Sequence, residues 1–278
     1  MWIISDFILY FLAAYLIWKY VFNTPDFVMY YAKFGFYLIC MLIIPTLFIP
    51  IMLLSPRNLR NEYIVAQVML HVSKVIGVSW ELRNEKVLAG KMSAVVIGNH
   101  QSAIDILGVF HFSHMTKRFA LVTKKEVLYL FPIGLTAYLM GCVFVDRKNP
   151  REAHYTLKAS ADELFKNKYK IGMYPEGTRN TSHKILPFKK GAFALAIACQ
   201  VPIIPIVNSP YYFLDSEKRI FRKGQVITQC LEPVSTEGLT MDDLPELMDS
   251  IQKMMQETFD ALGKEIAERN HKNIYTIF

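Results

Sequence analysis

The chain has 278 residues, room for one domain of ordinary size plus a membrane anchor but not for a second large domain. It carries 31 Lys and Arg against 24 Asp and Glu, a formal charge of +7, and 53% of its residues are hydrophobic. That pairing points to a membrane carrying anionic lipid or to acidic small substrates; nucleic acid is disfavoured, because the basic residues are dispersed and no zinc-finger spacing or RNP-type aromatic pattern accompanies them.

Two apolar runs open the chain. Residues 7–22 are short and carry Lys19 near the end, where its side chain can snorkel to an interface. Residues 34–55 contain no charge, enough chain to cross a hydrocarbon core of ~30 Å at ~1.5 Å per residue. Pro45 and Pro50 complicate a straight crossing and leave a re-entrant or interfacial helix as the alternative. A cleaved signal peptide does not fit, since Met1 to Asp6 has no positive stretch and Asp6 is acidic. The two runs therefore predict a two-helix membrane anchor over 1–56, joined by the polar turn Asn23-Thr24-Pro25-Asp26. Trp2, Tyr10, Trp18, Tyr20, Tyr30 and Tyr31 cluster near the run ends as interfacial aromatics do. Arg57 and Arg60 follow directly and favour a cytoplasmic position for the domain over 57–278.

Beyond residue 60, helical and strand patterns alternate, the signature of an α/β fold with a mixed sheet flanked by helices. Ile64, Val68, Val72 and Val75 share one helical face. Short apolar runs predict strands at 78–82, 93–98, 118–123, 142–145, 171–174, 201–207 and 225–230. Helices are expected at about 152–166 and 191–199, and an amphipathic one closes the chain over 243–269. Cys40, Cys142, Cys199 and Cys230 lie far apart in apolar runs without a CxxC pair, and read as reduced, packed thiols in a cytosol-facing protein. Cys142 sits among Val143, Phe144 and Val145, where burial raises a thiol's pKa and lowers its reactivity.

The run Asn99-His100-Gln101-Ser102-Ala103-Ile104-Asp105 places a histidine and a carboxylate five residues apart where a strand hands over to a helix. Ser102-x-x-Asp105 matches a capping box leading into Ile106, Leu107 and Phe110, with the helix expected to start at Ser102. Asp105 can then accept from one imidazole nitrogen of His100 and leave the other to take a proton. The plainer alternative is that Asp105 only caps the helix. Ser102 does not suggest a serine hydrolase, because GxSxG is absent.

Three later segments carry further candidates. Gly141-Cys142-Val143-Phe144-Val145-Asp146-Arg147 ends in an arginine that is either a phosphate contact or the partner of Asp146. Tyr174-Pro175-Glu176-Gly177-Thr178-Arg179 places a guanidinium in a turn after a strand, where it can grip a phosphate bidentately, although an arginine in a turn is ordinarily a solvated charge. Glu176 would repel a phosphate and is expected to orient Arg179 or to bind a substrate hydroxyl. Lys184, Lys189 and Lys190 add positive field or form a solvated face. Val201-Pro202-Ile203-Ile204-Pro205-Ile206 holds no acid, base or phosphate ligand and reads as pocket wall or scaffold. His111-x-x-His114 is the only close histidine pair and lacks partners at zinc spacing, so no metal is expected.

In this order, from about Val95 to Val207, the four segments resemble the motif series of the glycerolipid acyltransferases with an HxxxxD motif, most closely the 1-acylglycerol-3-phosphate (lysophosphatidic acid) acyltransferases. Tyr174 stands where Phe is commoner and Asn180 where Ser is common; neither removes a side chain assigned to the chemistry. The resemblance implies an integral membrane O-acyltransferase that joins acyl-CoA, as co-substrate rather than cofactor, to lysophosphatidate. Its implied catalytic residues are His100 and Asp105. Its implied substrate-binding residues are Glu176, Gly177, Thr178, Arg179 and Arg147. The implied setting is the endoplasmic reticulum with a cytosol-facing site in a eukaryote, or the cytoplasmic membrane in a bacterium. The alternatives are another lysophospholipid or glycerol 3-phosphate as acceptor, or a membrane lipid-binding protein without turnover. Intact His100, Asp105, Glu176 and Arg179 argue against the last.

Overall fold

The computed structural model of the chain describes residues 25–116, 118–182 and 184–275. The run at 7–22 lies outside the described residues, so the expected anchor is represented by one apolar helix, α1, Asp26–Leu47. This helix begins eight residues before the uncharged run. Pro25 precedes it and Asp26 occupies its first turn, where an acidic side chain complements the helix dipole. The helix continues through Lys33 because tertiary packing accommodates the charge: the ammonium stands 4.8 Å over the Phe221 ring. It stops at Phe48, and α2 (Ile49–Met52) resumes with Pro50 in its first turn, where a missing N–H is tolerated.

One face of α1 packs on the rest of the chain. Tyr37 is buried and its hydroxyl donates to Ala103 O at 2.7 Å. Asp26 pairs with Arg222 at 2.9 Å, and the Phe34 and Phe221 rings lie 5.2 Å apart. The opposite face exposes residues such as Leu38, Leu42 and Leu47.

The remaining elements follow the α/β alternation. They are α3 (Leu59–Val75), β1 (Val78–Arg83), α4 (Lys86–Ala89), β2 (Ala94–Gly98), α5 (Asp105–Thr116), β3 (Phe119–Lys124), a 3-10 helix (Lys125–Tyr129), α6 (Ile133–Leu139) and β4 (Val143–Val145). Then come α7 (Pro150–Lys166), β5 (Lys170–Met173), α8 (Gly191–Cys199), β6 (Ile203–Asn208), the short pair β7 (Leu214–Asp215) and β8 (Ile220–Phe221), β9 (Gly224–Cys230) and α9 (Leu244–Tyr275). Asn58 and Asn149 cap α3 and α7 by accepting from Arg60 N and Glu152 N. The helix start expected at Ser102 shifts to Asp105, because the Asp105 carboxylate binds the amides of Gln101 and Ser102 and holds that stretch as a turn.

Seven strands form one mixed sheet in the order β1-β9-β6-β2-β5-β3-β4. All neighbours run parallel except β6 and β9. β2 and β6 lie at the centre and read as continuous apolar runs because both their faces are covered. On one face α7, α8 and α9 bury Phe193, Ile251, Met255 and Phe259 against Val95, Ile171 and Val207. On the other, α1, α3 and α5 bury Tyr37, Met69, Leu107 and Phe110. The segments leaving β2, β4 and β5 emerge together at the carboxyl edge of parallel strands, where open α/β sheets place their sites.

Candidate active site

The segment after β2 is held by side-chain amides that extend the sheet's hydrogen bonding. Asn99 donates from Nδ2 to Asn208 O at 3.0 Å and accepts from Asn208 N at 2.8 Å. Gln101 donates to Ser209 O at 3.0 Å and accepts from Tyr211 N at 3.3 Å. Thr228 Oγ1 donates to Asn208 Oδ1 at 2.7 Å. These buried contacts fix the backbone on both sides of His100 to the end of β6.

His100 Nδ1 lies 2.6 Å from Asp105 Oδ2. The same carboxylate accepts from Gln101 N at 2.7 Å and Ser102 N at 3.0 Å. Those amides can only donate, so Asp105 acts as acceptor throughout and Nδ1–H is the donor. The lone pair on Nε2 is then available for a proton. Asp105 is 1% exposed and His100 19%, so the acid is sealed while the base reaches solvent. The Tyr174 ring stacks on the imidazole, centroids 4.1 Å apart and planes 14° from parallel, which fixes the ring's tilt.

The turn after β5 grips His100 from the other side. Glu176 is buried, and its two oxygens accept from His100 N at 2.7 Å and Leu186 N at 2.9 Å. Burial raises the Glu176 pKa, and the two amides oppose that shift. Asn180 N donates to His100 O at 2.8 Å. Glu176 thus clamps the two motif segments together, and among the described residues no ion pair joins it to Arg179. This geometry replaces the expectation that it orients Arg179.

Gly177 sits at φ +71°, a left-handed conformation that favours glycine, and the Lys189 side chain lies directly over it. Arg147 Nη1 donates to Gly177 O at 2.9 Å. Asp146, the partner considered for Arg147, instead lies 3.8 Å from Lys125 and caps Lys148 N. Thr178 and Arg179 are exposed. A cavity of about 420 Å³ is lined by His100, Ser102, Lys124, Arg147, Thr178 and Arg179 together with apolar residues of α5 and β3. Arg147, Val122 and Tyr174 also line an adjoining cavity of about 320 Å³, which Lys189 and Lys190 border.

Five of the seven site residues named from the sequence, His100, Arg147, Thr178, Arg179 and Gly177, therefore border one or both cavities; Asp105 and Glu176 stand behind them. Cys142 lies outside both, and burial pushes its thiol up to about 12. The segment 201–206 supplies the buried strand β6 and no polar group to the site. Asn99, Gln101 and Asn208 escaped the sequence reading. Their only signal was adjacency to strand ends, and the partners of the Asn99 and Gln101 side chains lie more than 100 residues away.

Several known proteins are similar to this chain. The acyltransferase family pattern matches residues 79–209. The 1-acyl-sn-glycerol-3-phosphate acyltransferase alpha of Mus musculus is 37% identical over 238 residues, covering 85% of this chain and 83% of that protein. The 1-acyl-sn-glycerol-3-phosphate acyltransferase of Haemophilus influenzae is 32% identical over 84% of this chain and 96% of its own length. The crystal structure of the 1-acyl-sn-glycerophosphate (LPA) acyltransferase from Thermotoga maritima superposes with a TM-score of 0.66 at 18% identity, over 85% of this chain and 96% of that one, a likeness of fold. The chain belongs to the acyltransferase family, alongside these 1-acyl-sn-glycerol-3-phosphate acyltransferases.

Proposed function

We propose that the chain transfers an acyl group from acyl-CoA to the free hydroxyl of lysophosphatidate, giving phosphatidate and CoA. The observation that carries this reading is that His100, paired with Asp105 behind it, lines the same cavity as Arg179 and Arg147. A base for a hydroxyl and cations for a phosphate monoester are there in one compartment. The relatives' names supply the acceptor, and the acyl-CoA donor rests on the resemblance of the motif series.

His100 Nε2 takes the acceptor's hydroxyl proton as the oxygen attacks the thioester carbonyl. The tetrahedral intermediate collapses with cleavage of the C–S bond, and the imidazolium returns the proton to the departing thiolate. Asp105 holds the tautomer before the transfer and stabilises the imidazolium after it. Arg179, exposed at the cavity, grips the acceptor phosphate, and Arg147 adds positive field beside it while holding the Gly177 turn. Glu176 is a positioning residue that keeps the His100 backbone in place. Residues 1–56 anchor this machinery to the membrane, and Arg57 and Arg60 place the domain over 57–278 on the cytosolic face.

The test is an assay of purified protein in detergent that follows free thiol release from acyl-CoA with lysophosphatidate, lysophosphatidylcholine and glycerol 3-phosphate as acceptors. Lysophosphatidate is expected to give the fastest release. Equal rates with an acceptor lacking a phosphate monoester would remove the phosphate-anchor reading, and no release with any acceptor would remove acyl-CoA as donor.

A further inference from the structure

The segment between β3 and α6 turns apolar side chains outward. Leu128, Tyr129, Leu130 and Phe131 are consecutive and exposed, Phe131 to 81%, and Ile133 follows. A loop facing water carries polar residues at such positions. Their exposure is built in. Leu130 N donates to Val127 O at 3.1 Å and Gly134 N to Leu130 O at 2.7 Å. A Cβ at Gly134 would stand 2.0 Å from Leu128 O, so the loop lies directly on the first turn of α6.

This patch continues into another. α6 packs against the 3-10 helix and against α1 and α2, and those helices with the turn after them expose Leu42, Leu47, Ile51 and Leu54, the last to 86%. α1 is long and apolar enough to cross a membrane. Cations border the surface: Arg57 is exposed with its guanidinium 5.4 Å over the Tyr138 ring, and Lys124 is exposed at the end of β3. Lys124 and Val127 also line the His100 cavity, so the 3-10 turn carries the cavity wall and the apolar loop together.

We infer that residues 128–133 form a second membrane-inserted element, seated with the outer face of α1 in one leaflet of a phospholipid bilayer, and that this brings the His100 cavity to headgroup level for lateral entry of a membrane-dissolved acceptor. The bilayer, rather than a second copy of the chain, is the occupant because the patch is continuous with the apolar face of α1 and is rimmed by cations that anionic headgroups complement. The insertion stands on the exposed surface alone; the entry route rests on the function proposed above.

The experiment uses the full chain in vesicles of phosphatidylcholine and phosphatidylglycerol, with an environment-sensitive fluorophore on Phe131→Cys or, as control, on Met241→Cys. Met241 is 53% exposed and precedes α9, which packs in a different core cluster from α1. The signal of the identically treated unsubstituted protein is subtracted. The 131 probe is expected to be quenched by doxyl-labelled lipid and shielded from aqueous iodide, with the reverse at 241. Iodide quenching at 131 as strong as at 241, or shielding from both quenchers as a second copy would give, overturns the insertion. A Leu130→Ser/Phe131→Ser protein should show a KM for long-chain lysophosphatidate in vesicles raised about tenfold, from lost apolar burial. Its kcat, and its KM for a short-chain, water-dissolved lysophosphatidate, should be unchanged. An equal rise for both acceptors overturns the entry route. Absence of turnover in the unsubstituted protein would instead strike the proposed function and leave the quenching result standing.

Discussion

Asn99, Gln101, Asp105, Glu176 and Asn208 lie buried beneath the cavity, while Leu47, Leu54 and Phe131 stand exposed on the surface that adjoins it. Each region inverts the usual distribution of polarity, for a different physical reason. The buried groups are tolerated because their hydrogen bonds are made within the protein: Asp105 meets His100, Gln101 and Ser102, and Glu176 meets His100 and Leu186. The exposed ones have no such internal compensation and gain it only from an apolar environment outside the chain. Polarity inside thus fixes geometry, and apolarity outside fixes location, with His100 at the boundary.

The sharpest way to probe this contrast is to remove the reacting group while leaving both regions intact. His100→Ala should fold and stay in the membrane yet lose about two to four orders of magnitude in turnover; near-normal turnover would take His100 out of the mechanism. Asp105→Asn attacks the buried region directly. It should lower turnover by about two orders of magnitude, because an amide in place of the carboxylate no longer enforces the Nδ1–H tautomer. If Asp105 only caps α5, the rate would hardly move, since Asn caps nearly as well.

Arg179→Lys tests the exposed rim. The KM for lysophosphatidate should rise about tenfold while that for acyl-CoA holds, because an ammonium cannot reproduce the planar fork; equal losses for both substrates would refute the assignment. Glu176→Gln leaves a single acceptor oxygen for two buried amides, and denaturant unfolding should show a loss of about 1–3 kcal/mol. Unchanged stability would mean that the clamp between the two motif turns is not needed to hold them.

A pH-dependent effect concerns Glu62 on α3. Desolvation pushes its carboxyl up to about 8 from 4.5, against a hydrogen bond with Ser113 that lowers it. Between those values the unfolded chain ionises while the folded one stays protonated, so stability should fall as pH rises across the window. Glu62→Gln should flatten that slope, read as Tm at several pH values; a slope identical to that of the unsubstituted protein would show that Glu62 does not set it.

Much of the fold was legible in short stretches of sequence. A buried parallel strand is a brief β-branched run ended by a breaker, so the strands at 78–83, 94–98 and 119–124 fall where hydropathy places them. The pairing of His100 with Asp105 was legible for a similar reason, because the four residues between them form one local turn. What a sequence window could not contain was decided by tertiary structure. Lys33 interrupts the apolar run, yet α1 begins at Asp26, and the ammonium comes to rest over the Phe221 ring, which only the folded chain brings beside it. Glu176 reads locally as a partner for nearby Arg179, yet it binds the amide of His100, 76 residues away, because parallel pairing of β2 and β5 delivers both turns to the same edge of the sheet. Residue type and spacing name the groups that do the chemistry. Which donor each acceptor meets depends on strands whose neighbours are far apart in the chain, and that adjacency exists only once the sheet has formed.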